Sequence, residues 1–361
     1  MATMIQAIRM ALAYGEQNLG VTDVFGEDVG PPLGGVFTGT QGLKTAWNSP
    51  LDERGIIGFA MGLAMSGQKP VAEIQFCDYV YNTIDLLKIA GNTTWSTAGD
   101  WCLPMVVMTP VGSGIRGSIY HSHSFDAMMT HIPGWKIVMP STPLDAYGLM
   151  LAAIKDPNPV MYLKPKALLR VRKPDDEQSI PGEPLTADGA IDEKALKDMI
   201  DAPLGDRTQW KPRWPKLEDY TVEIGKARLR RSGTTLSCVS YGRTLPLCLQ
   251  AAEQLAAEEG LDIEVIDLRS LWPYDWDMIA ESVRRTRKVM FVNEDTEVTN
   301  FGEHLFRRAT EEFFYELDAA PRLLAGAHLP GIGLADALEA ASVPQLPSIK
   351  DMMRELAHEV P

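Results

Sequence analysis

The sequence predicts an α/β protein with two parallel-sheet domains, on three observations. Short, wholly apolar runs alternate with helical patterns on both sides of a charged, proline-rich stretch. The length of 361 residues corresponds to about two domains at about 150 residues each. The composition, with 45 % hydrophobic and 23 % charged residues, is that of an ordinary globular protein. Apolar strands joined through helices are typical of a parallel sheet covered on both faces.

Residues 1–165 are predicted to form the first domain. Residues 1–18 indicate an amphipathic helix, because Arg9 and Glu16 interrupt its apolar pattern. Thr142 is expected to cap a helix that has Pro143 at its first position. The other predicted elements are a helix over 78–91 that Gly91 closes, and strands over 71–76, 104–111, 135–140 and 160–165.

Residues 166–220 are rich in proline and charge, and are predicted to be a linker or surface insertion with one exposed helix over 191–201. The alternation resumes in residues 221–361, the second predicted domain. Its expected strands are 235–242, 263–268, 288–294 and 321–326, and its expected helices are 244–259, 275–287, 302–317 and 348–360.

Composition also bears on partners and compartment. A net charge of −14 argues against nucleic-acid binding, which needs a basic surface. No apolar run approaches the ~20 residues of a membrane span, and residues 1–18 do not resemble a signal peptide. The four cysteines are scattered without a C-x-x-C pair, which fits a reducing compartment. We therefore expect a cytoplasmic protein that binds neither nucleic acid nor membrane.

Two motifs contain the glycines or histidines found in common cofactor and metal sites. GSGIRG (112–117) fits G-x-G-x-x-G but lacks the apolar helix and the acidic residue of a dinucleotide fold, which favours a glycine-rich active-site loop. His121 and His123 alternate on a segment expected to be extended, so they point to opposite sides and do not favour zinc. One of the two is the better candidate for a proton donor or acceptor.

Residues 49–67 are the most informative stretch. Ser49, Pro50 and Asp52 predict a capping box that starts a helix. The run 56–65 is apolar or glycine on all sides, which predicts a buried helix. Glu53 in the first turn is then either a solvated carboxylate favoured by the helix dipole or a partly buried one suited to proton exchange with a ligand.

Ordered segments along nearly the whole chain resemble one family. They are FGEDVG (25–30), GGVF (34–37), 49–67, VAEIQFCDYVYNTIDLL (71–87), RGSIYHSHS (116–124), 131–160, IGKARLRRSG (224–233), EVIDLRSLWPYD (264–275) and FGEHL (301–305). The chain resembles the β subunit of thiamine-diphosphate-dependent 2-oxo acid dehydrogenases. The branched-chain (2-oxoisovalerate) type is the nearest, with the acetoin and pyruvate types close by.

The resemblance implies a transketolase-like pyrimidine-binding domain followed by a transketolase C-terminal domain, in an α2β2 heterotetramer. It implies oxidative decarboxylation of a 2-oxo acid and transfer of the acyl group to a lipoyl-bearing acyltransferase core. In such a family the α subunit holds Mg²⁺ and the diphosphate. This chain lacks the Gly-Asp-Gly motif of that site, which fits its being the β half.

The resemblance also assigns residues. Glu53 matches the glutamate that hydrogen-bonds the aminopyrimidine ring and favours its imino tautomer. Leu51 and Tyr79 match neighbours of the same ring, although ordinary core packing remains an alternative for Tyr79. His121 matches the loop histidine near the reacting carbon. A structural potassium ion is expected on backbone carbonyls at Leu103, Met105, Val106, Ala153, Asp156 and Asn158.

Departures from the family pattern leave the substrate open. His123 stands where glutamine is usual, and Arg54 where a small or apolar residue is usual. These groups are expected to favour a more polar oxo acid. Two alternatives remain beside the branched-chain enzyme: an acyloin (acetoin) dehydrogenase β subunit and a non-catalytic assembly subunit. The presence of both Glu53 and His121 speaks against the last.

Overall fold

A sheet of mainly parallel strands lies at the centre of each of the two units into which the chain divides. The structure, a computed structural model, describes residues 2–171 and 220–360. The predicted helix over 191–201 lies outside these residues, as does most of the predicted linker. The first unit comprises the described residues of Met1–Pro110, Ile132–Lys164 and Leu168–Glu223, and the second comprises Val111–His131, Pro165–Ala167 and the described residues of Ile224–Pro361.

Six strands of the first unit lie side by side in the order β5-β6-β4-β3-β1-β2. They are β1 (Asp23–Gly26), β2 (Ala46–Asn48), β3 (Pro70–Glu73), β4 (Val106–Val111), β5 (Lys136–Val138) and β6 (Val160–Pro165). The pairs β1–β2, β1–β3, β3–β4 and β5–β6 are parallel. Strands β3, β4 and β6 are buried along their whole length, which confirms the predicted parallel sheet.

The helices of the first unit are α1 (Met4–Tyr14), α2 (Glu53–Met65), α3 (Ile84–Ser96) and, after two short helices of the second unit, α6 (Pro143–Lys155). Helix α6 begins as predicted, because the Thr142 side chain accepts the N–H of Asp145 and Pro143 follows the cap. Helix α1 packs on α6 and is buried almost all round. The predicted amphipathic helix is therefore wrong: Arg9 is only 3 % exposed, and its Nη1 donates to Thr38 O at 3.0 Å.

Gly91 does not close a helix. A 3₁₀ segment over Cys77–Thr83 precedes α3, and α3 continues past Gly91 to Ser96. A Cβ atom at Gly91 would lie 2.4 Å from Pro133 O. The glycine therefore permits a close approach of two backbones within the first unit, and its sequence position wrongly suggested a helix end.

The sheet of the second unit has the order β12-β11-β8-β9-β7, in which β7 is antiparallel to β9 and the other pairs are parallel. The strands of this unit are β7 (Arg228–Arg231), β8 (Leu236–Ser240), β9 (Ile263–Asp267), β10 (Ser270–Trp272), β11 (Val289–Thr296) and β12 (Arg322–Gly326). Its helices are α4 (Ser118–His121), α5 (Asp126–Thr130), α7 (Thr244–Glu259), α8 (Trp276–Thr286), α9 (Phe301–Phe313), α10 (Asp336–Ser342) and α11 (Leu346–His358).

The core of the second unit forms where α7 and α11 pack together on the sheet. Leu255 and Leu356, one from each helix, are fully buried there. Both units are thus α/β, as the alternation of apolar strands and helices predicts. None of the helices within residues 2–171 and 220–360 has the length and apolar character needed to span a bilayer.

Candidate active site

The first turn of α2 presents Glu53, but the helix starts differently from the prediction. Ser49 does not cap it: the Ser49 Oγ donates to Pro50 O at 3.0 Å, and the Asp52 N–H donates to the same oxygen at 2.9 Å. This turn delays the helix, so Asp52 becomes the N-cap residue without a side-chain capping bond. Glu53 is consequently the first helical residue, where the helix dipole favours a negative charge.

Glu53 is half-buried and has one side-chain donor close to it. The Asn82 Nδ2 donates to Glu53 Oε2 at 3.2 Å. Arg54 is bound to Asp85 through both guanidinium nitrogens, at 2.5 Å and 2.9 Å. Its Nη1 also donates to Asn82 O at 3.1 Å. Asp85 thus pairs with the Arg54 charge, and the expectation that Arg54 favours a more polar oxo acid stays a prediction.

Tyr79 and Glu27 share the electrostatic surroundings of Glu53. Burial raises the pKa of the Tyr79 phenol, and the charges of Asp78, Glu27 and Glu53 raise it further. Burial, Asp28 and Glu53 raise the pKa of the Glu27 carboxyl. Sequence reasoning missed Glu27, although FGEDVG places it directly after β1, at the carboxyl end of a parallel strand, where polar site residues commonly lie.

The surface beside Glu53 is apolar and largely uncovered. Leu51 is 71 % exposed, and Phe59 and Met65 on α2 are each 50 % exposed. The prediction that α2 is buried all round is therefore wrong for the described residues: Ile57 packs inward while the opposite face is open. Phe59 meets the stacked rings of Phe25 and Trp47 edge-on, next to a cavity of about 310 Å³.

The glycine-rich loop after β4 is held by carboxylates of the second unit. The N–H and Oγ of Ser113 donate to Glu294 Oε2 at 3.2 Å and 2.9 Å. The N–H groups of Gly114 and Arg116 donate to Glu339 at 2.5 Å and 2.8 Å. Gly112 has φ +81°, and a Cβ atom there would lie 2.0 Å from Glu294 Oε1. Because protein carboxylates already take the N–H groups that a phosphate would need, the loop is not a dinucleotide site.

His121 ends the helical turn α4 within this loop and is half-buried. The segment is helical at His121, so the prediction of an extended segment with alternating histidines is wrong. Within residues 2–171 and 220–360, no three His, Cys, Asp or Glu side chains come together as a metal site. The loop ends at α5, where the Ala127 N–H donates to Asp295 Oδ2 at 3.0 Å.

The residue before Ala127 is a buried acid. Asp126 is fully buried, and its pKa is raised well above the usual range by burial and by the charges of Asp295 and Glu294. Burial also raises the pKa of Asp295 and of Glu294. Sequence reasoning missed all three acids. Nothing within the segment 112–127 indicates that Glu294 and Asp295 accept its N–H groups, or that its own Asp126 is buried.

The residues expected at a potassium ion lie on two joined segments of the first unit. They are Leu103, Met105 and Val106 before and in β4, and Ala153, Asp156 and Asn158 at the end of α6 and in the following loop. Met105 O accepts the Val160 N–H at 3.0 Å, which ties the segments together. The Asp156 carboxylate is taken by Lys136 Nζ and by the Asn158 amide. Potassium ligation by backbone carbonyls stays a prediction.

Comparison with known proteins identifies the two halves separately. The family described as "Transketolase, pyrimidine binding domain" matches residues 1–172, and the family described as "Transketolase, C-terminal domain" matches residues 225–349. A solved "Split gene transketolase, inactive beta4 tetramer" aligns over 100 % of both chains with a TM-score of 0.68. Its 17 % sequence identity supports the fold alone.

Curated relatives match the chain nearly end to end. A 2-oxoisovalerate dehydrogenase subunit beta of Bacillus subtilis is 32 % identical over 98 % of both chains. Another, from Pseudomonas aeruginosa, is 38 % identical over 91 % of this chain and 88 % of its own. A pyruvate dehydrogenase E1 component subunit beta of Acholeplasma laidlawii is 34 % identical over 88 % and 87 %. The chain therefore belongs to the family of thiamine-diphosphate-dependent 2-oxo acid dehydrogenase β subunits.

Proposed function

We propose that this protein is the β half of an enzyme that oxidatively decarboxylates a branched-chain 2-oxo acid and passes the acyl group to a lipoyl arm. The observation that carries the proposal is the group at the start of α2. Glu53, half-buried and held by one amide donor, lies there in the same electrostatic surroundings as Tyr79 and Glu27. The relatives with the same domain pair support a 2-oxo acid as substrate.

These residues fit an aminopyrimidine ring. A carboxylate with an unused oxygen can share a proton with a ring nitrogen, and the phenol ring of Tyr79 offers an aromatic face. Bound thiamine diphosphate would supply the carbon nucleophile and the electron acceptor that decarboxylation of a 2-oxo acid needs. Glu53 would hold and return the proton at the ring nitrogen.

His121 would act on the substrate side. An imidazole can donate or accept a proton, and a 2-oxo acid needs such a group as its carbonyl oxygen gains and loses charge. The carboxylates that hold the loop backbone would set where this imidazole sits. The proposed roles of Glu53 and His121 therefore separate into cofactor and substrate chemistry.

An α subunit would complete the site, in an α2β2 heterotetramer that docks on a lipoyl-bearing acyltransferase core. The sequence has no Gly-Asp-Gly motif, so Mg²⁺ and the diphosphate would be held by the α subunit. The open apolar face of α2, with Phe59 and Met65 half-exposed, supports a partner that covers it.

Potassium would bind the carbonyls around Met105. Equal melting temperatures in potassium and sodium chloride at one ionic strength would contradict that ion.

The test reconstitutes this chain with a family α subunit and a lipoyl domain. Reductive acylation of the lipoyl domain is measured with 3-methyl-2-oxobutanoate, pyruvate and acetoin, each with and without thiamine diphosphate and Mg²⁺. We expect cofactor-dependent activity that is highest with the branched-chain acid. Highest activity with pyruvate or acetoin would move the assignment to those enzymes, and inactivity with all three would favour an assembly subunit.

A further inference from the structure

A ring of contacts connects the first turn of α2 with the end of the 3₁₀ segment Cys77–Thr83. Glu53 and Arg54 are adjacent in the chain. Arg54 donates to the backbone oxygen of Asn82, and the side-chain amide of Asn82 donates back to Glu53. We propose that Asn82 is a positioning residue that orients the Glu53 carboxylate towards the cofactor, and that the Arg54–Asp85 ion pair holds Asn82 in place. The inference rests on the proposed function.

The Asn82 amide decides which carboxylate oxygen remains available. It donates to Oε2 of Glu53 at 3.2 Å, so Oε1 is left to face a ligand. Without a donor, the last torsion of a glutamate is broad and roughly two-fold, and either oxygen could point either way. One hydrogen bond at Oε2 therefore converts a mobile carboxylate into an oriented one, which matters because proton sharing requires a heavy-atom distance of about 2.6–3.2 Å.

The Arg54–Asp85 pair has the geometry to hold Asn82. Two nitrogens of the guanidinium bind both oxygens of Asp85, at 2.5 Å and 2.9 Å, which fixes the plane of the fork. The same Nη1 donates to Asn82 O at 3.1 Å. Both side chains of the pair are at least half exposed, so the pair contributes little to stability by itself. Its consequence is positional: it sets the backbone of Asn82 relative to the turn that carries Glu53.

The experiment is a thermodynamic cycle that combines a substitution of Asn82 with the replacement of one ring atom of the cofactor, and it compares binding affinities. The reconstituted α2β2 enzyme binds either thiamine diphosphate with Mg²⁺ or the analogue in which the pyrimidine nitrogen facing Glu53 is replaced by CH. Calorimetry measures both affinities for the wild type, Asn82→Asp and Asn82→Ala. Asn82→Asp keeps the size of the side chain and the backbone oxygen that Arg54 binds, but it cannot donate to Glu53 when ionised.

We expect thiamine diphosphate to bind the wild type more tightly than the analogue, and each Asn82 variant to lose about 3- to 10-fold of its affinity for thiamine diphosphate, the size of one hydrogen bond. Affinity for the analogue should stay within twofold, since Asn82 acts only through the carboxylate. A merely structural role would weaken both ligands equally, and the cycle would show no coupling. That result would overturn the inference while leaving the proposed function intact.

A different result distinguishes failure of the proposed function. If the wild type bound thiamine diphosphate and the analogue equally, Glu53 would not face the ring, and both proposals would fall. Arg54→Gln should reproduce the loss of Asn82→Asp in the same direction, because it frees the Asn82 backbone. The matched control is Arg307→Gln, which removes an ion pair of similar exposure with Glu311 in the second unit and should change neither affinity.

Discussion

The start of α2 and the loop 112–124 present their candidate groups by opposite means. Glu53 is the first residue of a regular 13-residue helix, and its immediate contacts come from within the first unit. His121 ends a four-residue turn in a loop where Arg116 and Ser118 have positive φ. In the first region an amide donor orients a carboxylate. In the second, carboxylates orient a backbone through its N–H groups.

The difference shows how far along the chain the residues lie that hold Glu53 and the His121 loop in place. Asn82 lies 29 residues from Glu53, in the 3₁₀ segment that follows β3. The loop bonds to Glu294 and Glu339 span 181 and 225 residues. The contact of Glu53 therefore lies within a stretch of 29 residues, whereas the backbone of the His121 loop is held by acids that lie far along the chain. Substitutions in the two regions should consequently fail in different ways.

Replacing His121 should have the largest effect on turnover. His121→Ala removes a half-buried imidazole from a loop whose backbone is held by other residues, so folding and cofactor affinity should be retained. Turnover of the reconstituted enzyme should fall by about 10²–10⁴-fold, the usual size of one acid–base group. An unchanged rate would contradict the role of His121, and His123→Ala is the companion variant that would then be measured.

Replacing Glu53 should slow an earlier step. Glu53→Gln keeps the shape of the side chain and the helix start but cannot exchange a proton with a ring nitrogen. Exchange of the thiazolium C2 proton for deuterium should slow by about 10²-fold, at the lower end of acid–base effects. If Glu53 were only a helix-dipole charge, the change would cost a few tenths of a kcal/mol of stability and leave exchange at the wild-type rate.

The loop anchor should show an intermediate effect. In Glu339→Gln one carboxylate oxygen becomes an amide that faces a backbone N–H donor, so Gly114 or Arg116 loses its acceptor. We expect turnover to fall by about 10-fold and the amide hydrogens of these two residues to exchange faster. The matched control is Asp336→Asn, which breaks an exposed ion pair with the Arg116 side chain and leaves the backbone bonds in place. Equal effects of the two variants would contradict the anchoring role.

The same contrast explains how much the sequence could predict. Helix α6 was predictable because its cap, Thr142, and its first residue, Pro143, are adjacent and act within one turn. The start of α2 was not, because the Ser49 hydroxyl bonds Pro50 O instead of capping, although the pattern of residue types is the same. The helix end predicted at Gly91 was wrong, because the sequence does not distinguish a glycine that permits a close backbone approach from one that ends a helix.

The candidate site divides in the same way. Glu53, Tyr79 and His121 were assigned from the resemblance, and their roles stay predictions. Glu27 carries a signal, since it follows a parallel strand directly. Asn82 and Glu339 carry no such signal in the sequence. An asparagine in a polar turn and a glutamate in a short helix are expected at the surface, and only the fold shows which groups they bind.

The smallest effect concerns the contribution to stability of Asp126, which precedes the Ala127–Asp295 hydrogen bond at the end of the loop. The pKa of Asp126 in the folded protein is raised by burial and by Asp295 and Glu294, above the value of about 3.9 for an unfolded aspartate. Between these two values the folded state keeps a proton that the unfolded state releases, so the folded state binds more protons and stability falls as pH rises. Below about pH 4 both states are protonated, so this loss of stability is absent. Asp126→Asn has no proton to release and lacks this decline.

Urea unfolding at pH 4.5 and pH 8 therefore separates Asp126→Asn from the wild type. The buried amide of the variant costs about 1–3 kcal/mol where its N–H groups find no acceptor, and this cost does not depend on pH. The wild type should lose more than about 1 kcal/mol relative to the variant between the two pH values, since each unit of raised pKa is worth about that much. The control, Asp100→Asn at an exposed position, should follow the wild type at both. Parallel pH profiles for the wild type and Asp126→Asn would mean that Asp126 is ionised in the folded protein, and that the loop is anchored beside a buried charge.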